Sequence, residues 1–242
     1  KIKGFDKDLQ CRGMQFEKKE KLQRERTFNG MTAREWTLSS RSVWNDVSSV
    51  RKSKHLVHGA TYPEKLCDRV IKMYSGEGDN ILDPFLGTGT TVISAIKNKR
   101  FGYGIELTEK YYKLAYEEIN KAVSLIVEPN FKLFNGDCET MLDQIQDESI
   151  QLTFTSPPYA DLIHKVVEDR TKRHKRSAFV EENNSTTNIY SDNENDLGNM
   201  PMDIYKEKVV RIMEKIYRKT KPGGYNIWVV KDFRDIKNKI PY

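Results

Sequence analysis

The sequence predicts an α/β protein built on a doubly wound, mostly parallel sheet, and three observations carry that prediction. Short apolar runs of strand length alternate with segments whose apolar residues recur at helical spacing, from Tyr62 to Val230. The runs end in loops rich in Gly, Pro and acidic residues, Asp83 to Thr91 and Phe154 to Tyr159 above all. A chain of 242 residues with 37% hydrophobic content is long enough to bury such a core.

The elements follow in order. Pro63 opens a helix in which Leu66, Val70, Ile71 and Tyr74 share a face, and Gly76 and Gly78 stop it. Asn80 to Phe85 is a buried strand, Gly87 to Thr91 a tight loop and Val92 to Asn98 a helix. Phe101 to Leu107 is the second strand, and Thr108 is placed to cap a helix reaching about Val127. Phe131 to Phe134 and Ser149 to Thr155 are the third and fourth strands. Met202 to Thr220 is a helix stopped by Lys221-Pro222-Gly223-Gly224, and Tyr225 to Val230 is the fifth strand. Met31 to His58 has no clear period and reads as irregular structure.

Residues 1–26 form a small N-terminal module and a charged linker, Glu17 to Arg26 being nearly all charged; residues 27–242 form the main domain. Residues 160–200 interrupt the rhythm with a basic cluster (Lys165, Arg170, Lys172, Arg173, His174, Lys175, Arg176), then an Asn/Ser/Asp-rich stretch. A stretch this long without a clear element is either a mobile surface insert or a functional one. Lys and Arg total 41 against 35 Asp and Glu, a net charge of +6 that gives only a weak pointer to a polyanionic partner. Cys11, Cys67 and Cys138 have neither disulfide-framework nor zinc-site spacing, so no metal is expected and a reducing, cytoplasmic compartment is. Ala122 to Val127, broken by Ser124, is far short of the roughly 18 apolar residues that a membrane span needs.

Chemistry concentrates at strand ends. In Asp83-Pro84-Phe85-Leu86-Gly87-Thr88-Gly89-Thr90-Thr91, the glycines let backbone approach a ligand at the carboxyl end of the first strand. Thr90 stands where a phosphate-binding Walker loop has Lys, and Val92 occupies the third glycine of the dinucleotide fingerprint. A cofactor without pyrophosphate therefore fits better. Glu106 can accept from both ribose hydroxyls of an adenosine, or cap the next helix with Thr108. Asp137 can reach an adenine amino group, or close the turn Asn135-Gly136-Asp137. In Thr155-Ser156-Pro157-Pro158-Tyr159 two prolines without N–H groups leave a loop of acceptors beside an aromatic plane. That combination suits the exocyclic amino group of a base stacked on Tyr159.

These two loops resemble those of the S-adenosylmethionine-dependent DNA amino-methyltransferases, specifically the N4-cytosine group. The likeness runs from about Met31 to Tyr242. It implies a Rossmann-like class I methyltransferase fold, S-adenosyl-L-methionine as cofactor and DNA as partner. It also implies direct methyl transfer to cytosine N4 of a flipped base, with Ser156, Pro157, Pro158 and Tyr159 as the catalytic loop. Asp83, Phe85, Gly87, Gly89 and Thr90 match the cofactor loop, Glu106 the ribose acid and Asp137 the adenine-side acid. His58-Gly59-Ala60-Thr61-Tyr62-Pro63 resembles a segment of the methionine pocket, so Thr61 and Tyr62 join the cofactor set; Gly59 departs from the usual Pro. N6-adenine methylation is the alternative, its loop more often starting with Asp or Asn. A non-catalytic nucleic-acid-binding module on the same fold is a second. C5 methylation is excluded, because Gln10, Leu66 and Asp137 precede the cysteines where that chemistry uses a Pro-Cys pair. The resemblance leaves open a homodimer or a partner from a phage or restriction system. The family's closing C-terminal hairpin is expected to be absent, a departure from the pattern, and the basic cluster of the 160–200 insert is expected to contact DNA phosphates.

Overall fold

A computed structural model describes residues 29–47, 63–124, 130–160 and 191–230, with the backbone of 234–235 and 240–241. The proposed N-terminal module, Thr61, Tyr62, the helix end near Val127 and the basic cluster lie outside the described residues. The chain divides into two compact units, Lys1–Asp46 and Val47–Tyr242. In the first, helix α1 (Ala33–Ser39) corrects the expectation of irregular structure from Met31 onward. A capping box starts it: Thr32 N donates to Glu35 Oε2 at 2.7 Å, and Glu35 N donates to Thr32 Oγ1 at 3.2 Å.

The second unit is a five-stranded, all-parallel sheet of strand order β3-β2-β1-β4-β5. Its elements are α2 (Glu64–Tyr74), β1 (Asn80–Asp83), α3 (Thr90–Lys97), β2 (Phe101–Glu106), α4 (Glu109–Val123) and β3 (Phe131–Asn135). After them come α5 (Cys138–Met141), β4 (Ile150–Thr155), α6 (Met202–Lys219) and β5 (Thr220–Trp228). This is the doubly wound fold, with its strand order reversing between β1 and β4. One apolar cluster packs Ile212 and Ile216 of α6 with Leu82, Ile105, Leu142 and Ile150. A second packs Val92, Ile93 and Ile96 of α3 against Ala115, Ile119 and Val123 of α4. Among the described residues no helix is long and apolar enough to cross a membrane.

Several local expectations shift. Helix α3 starts at Thr90, two residues early, because Gly89 takes a left-handed φ of 83° and turns the chain into it. Short α5 and a 3₁₀ turn at Leu142–Gln144 occupy the stretch after β3, too brief to leave a period. Strand β5 begins at Thr220 rather than Tyr225. Thr220 pairs with Ile150 and Tyr225 with Leu152, so Lys221 to Gly224 form an irregularity within the strand instead of a loop before it. Beyond it, β6 (Arg234–Asp235) and β7 (Ile240–Pro241) make a two-residue antiparallel ladder separate from the main sheet.

Residues 191–200, assigned by sequence to the insert, bring the chain back to the core, with Asp192 to Glu194 left exposed. Leu197 and Met200 are buried in the α6 cluster, and Asp196 opens a 3₁₀ turn by accepting from Gly198 N at 2.9 Å.

Gly102 shows how closely α3 lies on the sheet. A Cβ there would sit 2.8 Å from Val92 Cγ1 and 3.3 Å from Val92 Cα. Val92 is β-branched and fully buried, so it has no other rotamer to take. Gly102→Ala is therefore expected to destabilise the chain by about 1–3 kcal/mol in chemical denaturation.

Candidate active site

A concave site lies where the strand order reverses, at the carboxyl ends of the strands. Phe85, Gly87 and Thr90 line it after β1, Glu106 and Thr108 after β2, Asp137 and Cys138 after β3, and Ser156 to Tyr159 after β4. The topology thus gathers nine of the residues expected from sequence: Phe85, Gly87, Thr90, Glu106, Asp137, Ser156, Pro157, Pro158 and Tyr159. Asp83 and Gly89 are not in its lining. Gly89 is pressed against α4, where a Cβ would stand 3.0 Å from two carbons of Ile119. Asp83 is 1% exposed, and its carboxylate is spent inside the protein. Oδ2 accepts from Thr91 Oγ1 at 2.6 Å, while Oδ1 accepts from Thr155 Oγ1 at 2.6 Å and Phe85 N at 3.2 Å. It ties the β1 loop to the end of β4, one residue before Ser156.

Glu106 is buried at the pocket wall. Its Oε2 accepts from Gly87 N at 2.9 Å, and its Oε1 from Thr108 N at 3.0 Å and Thr108 Oγ1 at 2.7 Å. Thr108 therefore serves Glu106 and makes no side-chain cap for α4. Burial raises the Glu106 pKa above its ordinary 4.5; the bonds from Thr108 and Gly87 oppose the shift and the Asp83 charge adds to it. Asp137 stands at the start of α5 without capping it. Its Oδ1 instead meets Lys208 Nζ at 3.1 Å.

In the β4 loop, Ser156 Oγ donates to the Val229 carbonyl at 3.1 Å, and Tyr159 OH donates to the same oxygen at 3.3 Å. A carbonyl can only accept, so the single Ser156 proton is committed to it and the lone pairs of Oγ remain as acceptors. Phe85 meets Trp228 edge-on at 6.0 Å and closes the adjoining wall. The Cys138 thiol is pushed far up by burial and by Asp137, which makes it an inert apolar surface rather than a nucleophile.

Four lining residues come from the stretch that the sequence assigned to the insert: Ser191, Asn195, Asp196 and Leu197. Asp196 Oδ2 accepts from Ser191 Oγ at 2.7 Å, which folds the segment on itself. Tyr111 was also unforeseen as a lining residue, although its helical spacing with Ala115 and Ile119 marks a buried face. The lining holds three carboxylates, Glu106, Asp137 and Asp196, and no Lys, Arg or His among the described residues.

The family described as DNA methylase matches residues 7–117 of the chain. The match starts ahead of Met31, where the resemblance of the motifs begins. The type II methyltransferase M.MthZI of Methanothermobacter thermautotrophicus is 36% identical over 129 residues, covering 51% of this chain and 35% of that protein. The type II methyltransferase M.BglI of Bacillus subtilis is 36% identical over 110 residues, covering 42% of this chain and 31% of its own. A Thermus thermophilus protein solved with S-adenosyl-L-methionine as a candidate DNA modification methylase is 28% identical. It covers 46% of this chain and 40% of its own, with a TM-score of 0.36. The chain spans about a third of the length of the curated relatives it matches.

Proposed function

We propose that the chain belongs to an S-adenosyl-L-methionine-dependent DNA methyltransferase that modifies the exocyclic N4 of cytosine. The observation that carries this reading is one pocket holding both an acid-lined cofactor cleft and the Ser156-Pro157-Pro158-Tyr159 loop. The DNA methylase family match and the type II methyltransferase relatives support the reaction class.

The residues fit the cofactor. A lining with three carboxylates and, among the described residues, no cation disfavours a pyrophosphate and favours a positively charged adenosyl compound. Glu106 would take the ribose hydroxyls, Asp137 the adenine amino group, and Phe85, Gly87 and Thr90 would bound the methionine end with Thr61 and Tyr62. Gly89 and Asp83 would act behind the loop, by letting it pack on α4 and by tying it to β4. When bound, the cofactor supplies an electrophilic methyl group on a sulfonium.

The chain's own residues then do three things. Ser156 Oγ and the Pro157 carbonyl accept hydrogen bonds from the target amino group, drawing its delocalised lone pair onto nitrogen. Pro158 fixes the loop, and Tyr159 stacks on the flipped base. Together they hold the amino nitrogen in line with the donor, so orientation supplies much of the rate. Ser156 stands where N6-adenine enzymes more often have Asp or Asn, which favours cytosine. DNA is the proposed partner, with the basic cluster at 165–176 on its phosphates.

The cofactor reading is tested by calorimetry against pH. Ribose hydroxyls donate to the ionised Glu106, so binding favours deprotonation. Because its pKa is raised, affinity is expected to weaken as pH falls through that raised value toward 4.5, by up to about tenfold per pH unit. The fold responds with the opposite sign: the Glu106 contribution to stability is greatest below 4.5 and is lost as pH rises through the folded value. Glu106→Gln should weaken binding and flatten its pH profile. No binding by the wild-type chain at any pH would sink the reading.

A further inference from the structure

The buried ammonium of Lys208 is unexplained by the cofactor reading. Lys208 lies on α6, one turn before Ile212 and two before Ile216, in a row that otherwise faces the core, and it is 4% exposed. Ammonium groups are rarely buried unless every proton has a partner. Here Nζ has three acceptors: Asp137 Oδ1 at 3.1 Å, Asn195 Oδ1 at 3.1 Å and the Asn195 carbonyl at 3.3 Å. Asp137 and Asn195 come from different segments and both line the pocket.

Lys208 is also the first rung of a ladder. Further along the same face of α6, Arg211 pairs with Glu139, Lys215 with Asp143 and Lys219 with Asp147. Each of those three pairs has one side chain at least half exposed, and such pairs contribute little. Only the Lys208–Asp137 pair has both side chains sheltered, at 5% and 20% exposure. The outer rungs hold α6 alongside residues 139–147, and the inner one reaches the site.

Asp137 occupies the N-terminal position of α5, where an aspartate ordinarily turns its carboxylate back onto the helix N–H groups. It does not do so here. The pull of Lys208 on Oδ1 accounts for that and leaves Oδ2 without a partner among the described residues.

We propose that Lys208 is a positioning residue for purine selection: it aims Asp137 Oδ2 at the 6-amino group of the adenosyl ligand and pins the Asn195 wall with the same ammonium. The proposal rests on the adenosyl reading above. A 6-oxo purine would present an acceptor to that carboxylate and be rejected.

The test is calorimetry of the full chain with S-adenosyl-L-homocysteine and S-inosyl-L-homocysteine. The wild-type chain is expected to prefer the adenosyl compound by about tenfold or more. In Lys208→Met that preference should shrink to within about threefold, and adding Asp137→Asn should cost nothing further, because the two residues act as one unit. Should Lys208→Met not fold by circular dichroism, Lys208→Gln, a neutral carboxamide on a shorter stem that removes the charge holding Asp137, decides in its stead. Full purine preference in a folded Lys208 variant overturns the proposal while the cofactor reading stands. Equal wild-type affinity for the two compounds also overturns it. Failure of the wild-type chain to bind either overturns the cofactor reading itself.

Discussion

Ser156→Ala is expected to lower methyl transfer by about 10²–10³-fold while leaving cofactor affinity within about twofold. The separation follows from placement. Glu106 and Asp137 lie at the ends of β2 and β3, whereas Ser156 sits after β4 beside Tyr159. Its hydroxyl proton is held by the Val229 carbonyl, which makes Oγ an acceptor oriented by backbone rather than by a rotating side chain. Alanine removes that acceptor and leaves Val229 O with the longer bond from Tyr159 OH at 3.3 Å. Kinetics at saturating cofactor, with calorimetry of the same variant, separate the two effects. A variant that keeps its rate within about threefold would remove Ser156 from the chemistry.

Asp83→Ala carries the largest expected stability effect, a loss of about 3–5 kcal/mol in chemical denaturation. Its two oxygens hold the hydroxyls of Thr91 and Thr155 and the amide of Phe85, all at buried or half-buried positions. Truncation strands those donors and opens a cavity at the β1–β4 junction. The same bonds join the cofactor loop to the residue before Ser156, so a variant stable enough to assay should lose both cofactor affinity and turnover. A loss below about 1 kcal/mol would show that the junction is held by packing alone.

The sheet and its flanking helices were legible because their signal is periodic. Leu66, Val70 and Ile71 mark one helix face, and the apolar strand runs are too short for helices and are bounded by Gly, Pro and acidic residues. Short features were not. Thr32 and Glu35 form a capping box with the spacing that marks a helix start, yet the Trp- and Ser-rich surroundings obscured it. Lys221-Pro222-Gly223-Gly224 has loop composition but is carried within β5, because the paired residues on either side hold the strand together.

Site residues divide in the same way. Glu106, Asp137 and Ser156 stood out because acids and Ser-Pro-Pro at strand ends imply chemistry through position, and all three line one pocket. The same motif logic put Asp83 and Gly89 in the cofactor loop; both lie outside the pocket lining, Asp83 bonded to Thr91 and Thr155 and Gly89 packed on Ile119. Lys208 carried a readable signal, a charge in the apolar row of Ile212 and Ile216, but Asp137 is distant in sequence and Asn195 lies in a stretch whose composition resembled insert. Ser191 to Leu197 resembled surface insert by composition; only Leu197, Met200 and Pro201 ahead of α6 mark where the chain returns to the core.

The most direct test of the central claim is nucleoside mass spectrometry of DNA from cells expressing the complete gene, alongside the Ser156→Ala variant. The account predicts N4-methylcytosine with the unaltered protein and none above background with the variant. N6-methyladenine in its place would contradict the assigned base, and neither nucleoside, with the protein folded and expressed, would contradict the assignment of this pocket to DNA methyl transfer.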